Sequence, residues 1–114
     1  MPMLYKIVAA PHWQAAEHDG VFRGSADDLR DGFIHFSTAA QVQETAAKHF
    51  AGQDGLLLIS VDGARLGTAL KWEPSRGGAL FPHLYGELAV AAVNKVEPLP
   101  LGPDGRHKFP PLAQ

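Results

Sequence analysis

The sequence predicts an α+β fold with mainly antiparallel strands. Helix-patterned segments with recognisable caps gather in the first half of the chain, and strand-patterned segments dominate the second. No internal repeat is visible. The 114 residues, 46% of them apolar, suffice for one domain with a real core. That domain is expected over residues 1–101. Residues 102–114 form a Pro/Gly-rich tail whose final dozen residues read as loose.

Each element has a local reason. Residues 3–9, MLYKIVA, are β-branched and aromatic enough for a strand. Pro11 suits the first turn of a helix and Gly20 its end. In SADDLRDG, Ser25 caps a short helical turn with Asp28 three residues on, and Gly32 stops it. A strand is expected over residues 33–37. Thr38 with Gln41 makes a second capping box, and Val42, Ala46 and Phe50 recur at helical spacing, so a helix is expected over 39–50. GLLLISVDG reads as a strand buried on both faces, ending at an Asp62-Gly63 turn. TALKWEPSRGGALFPH reads as two extended segments around residues 75–78, with Pro74 keeping the first off a central position. LYGELAVAAVNKV reads as one last long strand.

Composition narrows the function classes. Charged residues are 19% and the net charge is -2, which argues against disorder and against strong binding to a nucleic-acid backbone. The absence of cysteine excludes disulfides, thiolate metal sites and a cysteine nucleophile. The opening MPMLYKIVAAPHW has neither the basic start of a signal peptide nor an apolar run of spanning length, so a soluble, cytoplasmic protein without a membrane span is expected. No phosphate loop, dinucleotide glycine fingerprint, metalloprotease helix or Gly-flanked nucleophilic serine occurs.

Two stretches hold polar side chains where a core is expected. In GFIHFST, strand parity puts Phe33, His35 and Ser37 on one face and Ile34 and Phe36 on the other. In a strand beginning near residue 83, His83, Tyr85 and Glu87 share a face. Two such rows could line a cleft. A hydrogen-bonded core histidine and a solvated row would give the same parity. The second stretch, KWEPSRGGALFPHLYG, gathers Trp72, Glu73, Arg76, Phe81, His83 and Tyr85 around a turn. Stacking from Trp72 and a guanidinium from Arg76 would suit a nucleotide, whereas a Glu73–Arg76 surface pair and a core Trp72 are the plainer reading. A metal bound by His35, His83 and Glu73 or Glu87 stays open, because ligands need not be neighbours in sequence; none is expected.

YKIV, Trp13, DGFIHFSTAAQV, Val61-Asp62, LKWE and FPHLYG fall in one order over nearly the whole span from Tyr5 to Val96. In this the chain resembles the bacterial family named domain of unknown function 952. That family in turn resembles the ADP-ribosyltransferase-like fold, with its split, mainly antiparallel sheets, which also includes the RNA 2'-phosphotransferases. The resemblance implies an NAD-type cleft walled by the strand, helix and buried strand of residues 32–61. It implies Glu87 and His35 as catalytic residues, His35 and Ser37 holding the ribose and amide ends, and Arg76 or Lys6 facing phosphate. Thr38, Trp72, Glu73, His83 and Tyr85 complete the expected ligand contacts. Lys6 departs from the histidine or arginine usual at its place. The implied function is transfer or hydrolysis on NAD, ADP-ribose or a related nucleotide; the alternative is a binding module without catalysis on the same fold.

Overall fold

The strand expected over residues 3–9 forms as β1, Met3–Ala9, and β1 organises the molecule. The computed structural model describes residues 2–113, without the Arg76 side chain. β1 pairs along its full length with β5, Leu56–Asp62, whose apolar run lies between β1 and β9, Lys95–Leu99. On its other side β1 meets only the two-residue β4, Ser37–Thr38, giving a four-stranded sheet in the order β4-β1-β5-β9. A three-stranded sheet has the order β3-β7-β6, from Ile34–His35, Leu80–Leu84 and Leu70–Pro74. β2, Val21–Phe22, pairs with β8, Leu88–Ala89. All these pairings are antiparallel.

The predicted helix starts hold, as do the Gly20 and Gly32 stops, while the third helix ends at His49 with Phe50 as its cap. In α1, Ala10–Asp19, a proline sits in the first turn and Gly20 closes the helix at φ 86°, a left-handed conformation that glycine adopts without strain. α2, Ala26–Asp31, starts at the Ser25–Asp28 capping box and ends at Gly32. α3, Ala39–His49, follows directly on Thr38, whose backbone N–H donates to Gln41 Oε1 at 3.0 Å.

Alternate residues of β1 feed two cores. Leu4 and Val8 join Trp13, Phe22, Ile34, Phe36, Val61 and Leu88 between the sheets. Tyr5 and Ile7 join Val42, Ala46, Leu58 and Leu99 on the α3 side.

Three expectations change. Residues 33–37 are not one strand. Ser37 pairs with Tyr5 in the large sheet, while His35 pairs with His83 in the three-stranded sheet. The Phe36 N–H donates to Pro82 O at 3.0 Å, so the chain leaves one sheet for the other at this residue. The expected long strand from Leu84 is broken into the end of β7, β8, a 3-10 turn at Val90–Ala92 and β9. Its apolar residues serve different packing partners, with Leu84 and Leu88 in the first core and Leu99 in the second. The tail is not loose. Leu101 bridges His107, Phe109 and Leu112 pack on the second core, and the Tyr5 hydroxyl donates to Ala113 O at 2.8 Å. Apolar side chains dock this Pro/Gly-rich segment because the α3-side core leaves surface for them to cover.

Candidate functional site

The departure at Phe36 opens a gap. β4 covers β1 only at Leu4 and Tyr5, so the β1 edge beyond Tyr5 has no strand beside it among the described residues. A cavity of about 360 Å³ occupies this place, between β1, α2, the β3–β4 junction and α3. Lys6, Asp28, His35 and Ser37 line it together with Phe36, Phe50 and Phe81.

Its polar wall is a chain of charges. Lys6 Nζ lies 3.0 Å from Asp28 Oδ1 and 2.9 Å from Oδ2. Asp28 Oδ1 also accepts from the His35 backbone N–H at 3.1 Å and lies 2.6 Å from His35 Nδ1. Asp28 Oδ2 accepts from the Ser25 N–H at 2.8 Å. At the outer end, His35 Nε2 lies 3.0 Å from Asp31 Oδ2. The chain runs from the interior outward: the Lys6 and Asp28 side chains are 10% and 1% exposed, His35 and Asp31 33% and 35%.

Burial alone would push the Asp28 carboxyl up. The His35 hydrogen bond, the Lys6 ammonium and the Ser25 N–H outweigh it and hold the group well below the usual carboxylate range. Burial pulls Lys6 down, against the opposing pull of Asp28. Asp31 is lowered, first by its hydrogen bond from Arg30. Ser37, 4% exposed, shares a 2.9 Å hydrogen bond with the Thr45 hydroxyl on α3.

A second polar group adjoins across the β3–β7 pair. Glu73 Oε1 lies 2.8 Å from His83 Nδ1 and accepts from the Tyr85 hydroxyl at 2.8 Å. His83 stacks on Phe33, with centroids 4.1 Å apart and planes 19° apart. His83 Nε2 is buried without a hydrogen-bond partner among the described residues. These hydrogen bonds hold the Glu73 carboxyl down, the one from His83 most.

The expected site residues therefore divide. Lys6, His35 and Ser37 meet in the cavity. Glu73, His83 and Tyr85 form the neighbouring cluster rather than its lining. Trp72 pairs with Pro82 while Glu73 pairs with Phe81, so the two alternate across β6 and cannot face one site. Thr38 starts α3 and does not line the cavity. Glu87 is exposed on the surface, 3.0 Å from Arg23 Nε, and is not in the lining either; with the strand ended at Leu84, the parity that joined Glu87 to His83 and Tyr85 does not extend to it. The Arg76 side chain lies outside the described residues. No three His, Cys, Asp or Glu side chains among the described residues are arranged to hold a metal ion. Sequence reasoning missed Asp28 and Asp31 as site residues. Asp28 was legible only as a cap, which uses one carboxylate oxygen and leaves the other for His35.

No helix among the described residues is long and apolar enough to cross a membrane. No curated protein matches the chain. The crystal structure of protein CC0527 from Caulobacter crescentus is 52% identical, with a TM-score of 0.90 and 93% of each chain covered. The solution structure of the same protein is 53% identical, with a TM-score of 0.85, covering 93% of this chain and 91% of that one. Residues 7–96 match the family described as "Protein of unknown function (DUF952)". The chain belongs to the DUF952 family.

Proposed function

We propose that the chain is a ligand-binding protein whose cavity takes a nucleotide-type ligand of the NAD or ADP-ribose kind. The observation that carries this is that His35 and Ser37, on either side of the residue where the chain changes sheets, line the same cavity. Its volume, about 360 Å³, is at the lower end for small-molecule sites, so it suits one nucleoside portion rather than a whole dinucleotide. Phe36, Phe50 and Phe81 offer apolar surface to a base, and His35 and Ser37 would exchange their present partners, Asp31 and Thr45, for sugar hydroxyls. The likeness of GFIHFST and its following helix to the ADP-ribosyltransferase-like fold supports the same ligand class.

Binding without turnover is the reading the geometry favours, because Glu87 pairs with Arg23 away from the cavity. One observation favours transfer or hydrolysis as a second reading: His35, anchored at Nδ1 by Asp28, has the orientation of a general base once Asp31 gives up the ring's Nε2. The test is calorimetric titration of the protein with NAD and ADP-ribose, alongside a nicotinamide-release assay. Binding that weakens in His35→Ala, with no nicotinamide released, is the expected result. Failure of wild type to bind either compound at millimolar concentration would overturn the proposal. Nicotinamide release that survives Glu87→Gln and is lost in His35→Ala would establish the second reading instead.

A further inference from the structure

We infer that Asp28 is the positioning residue of this cavity: its carboxylate keeps a proton on His35 Nδ1 and turns the Nε2 edge toward Asp31, where a ligand hydroxyl would meet it. The clause about the hydroxyl rests on the proposed ligand class; the positioning does not.

Asp28 does more than cap α2. The cap needs one oxygen, Oδ2, for the Ser25 N–H. Oδ1 takes both the backbone N–H and Nδ1 of His35, so ring and main chain are held by one atom. A carboxylate there accepts only, which makes Nδ1 the donor. The Lys6 ammonium spans both oxygens. This charge lets a carboxylate 2% exposed stay ionised. The backbone is shaped to the same end. A Cβ at Gly24, whose φ is 118°, would lie 2.7 Å from the Asp28 Cβ, so any side chain there would push Asp28 out of place.

The groups facing His35 from each packed element are Lys6 through Asp28 from β1, Asp28 and Asp31 from α2, His83 from β7, and the Phe33 ring at 4.6 Å. Among the described residues Asp31 stands at the outer edge, part-exposed and also bound to Arg30. Asp31 likewise accepts only, so its 3.0 Å contact makes Nε2 the donor there, and a sugar hydroxyl at this edge would accept from Nε2 while a neighbouring one donates to Asp31. Asp31 is therefore the group that shares, or gives way to, the ligand.

The test reads the ring itself. Nitrogen-15 spectra of the imidazoles, recorded from about pH 5 to 9 to span histidine titration, would be compared for wild type, Lys6→Met and the Asp28→Asn/Lys6→Met double variant. Pairing the substitutions removes the buried ammonium that Asp28→Asn alone would strand. Asparagine has one acceptor oxygen and cannot serve both the Ser25 side and the His35 side. His35 Nδ1 is expected to carry a proton in wild type and Lys6→Met, and the double variant is expected to lose that preference. ADP-ribose affinity should fall by about tenfold or more from Lys6→Met to the double variant, the loss expected for a hydrogen bond to a charged group. An unchanged His35 pattern in a folded double variant would overturn the inference. A changed pattern in a protein whose wild type binds no ADP-ribose would uphold the positioning and remove the ligand class.

Discussion

His35 and His83 stand directly opposite each other in the antiparallel β3–β7 pair, and their rings meet edge to face with centroids 5.4 Å apart. Directly opposed residues point to one face of a sheet. Each ring is anchored at Nδ1 by a carboxylate from a different element, Asp28 for His35 and Glu73 for His83. Two carboxylate-held imidazoles are thus brought side by side from residues 48 positions apart in the chain.

Glu73→Ala tests the second anchor. His83 is buried, and its Nε2 already lacks a partner among the described residues, so the variant leaves both ring nitrogens without one there. The thermal midpoint should fall. The Glu73 hydrogen bond raises the Tyr85 phenol above its ordinary pKa, so ultraviolet titration of the two tyrosines should show one ionising at lower pH in the variant. If neither tyrosine moves, the Glu73–Tyr85 bond does not form in solution.

Acid stability should depend on Asp28. Its folded pKa is lowered, so the folded state binds this proton less readily than the unfolded chain. That contribution is fully present above the unfolded value of about 4, and it is lost as the pH falls through the folded value. Urea midpoints measured down through this range should drop less steeply in Asp28→Asn/Lys6→Met than in Lys6→Met. Lys6 has the opposite consequence at the alkaline end. Its folded pKa is lowered by burial, so its cost to stability shrinks as the pH rises toward the unfolded lysine value, and wild type should gain stability there relative to Lys6→Met.

Removing residues 102–114 should destabilise the domain rather than leave it unchanged. The deletion uncovers the surface under Phe109 and Leu112 and takes away the Ala113 acceptor of Tyr5. Partial burial of two large side chains contributes about 2 kcal/mol. Chemical denaturation of full-length and truncated protein measures it, and equal midpoints would show that the tail does not dock.

Thr38→Ala should cost about 1 kcal/mol through the loss of an N-cap side chain. Because Thr38 does not line the cavity, ADP-ribose binding should be unaffected. A selective loss of binding with stability intact would return Thr38 to the site.

Local structure was legible because its causes are local. The caps at Ser25 and Thr38, the stops at Gly20 and Gly32 and the buried run of β5 each depend on residues within a few positions of one another. Strand parity likewise placed His35 and His83 where they could share a face. What the sequence could not supply was the choice of partner. Nothing in GFIHFS says that Ser37 pairs with Tyr5 while His35 pairs with His83, since either sheet would satisfy the same backbone groups. That choice belongs to the packing of Ile34, Phe36, Leu84 and Leu88 in one core. It opens the cavity beside β1, turns Asp28 from a cap into the centre of a charge chain, and ends β7 before Glu87. Tertiary structure decided these features because burying charged Lys6 requires a carboxylate, and the nearest one that the fold delivers is 22 residues away in the chain.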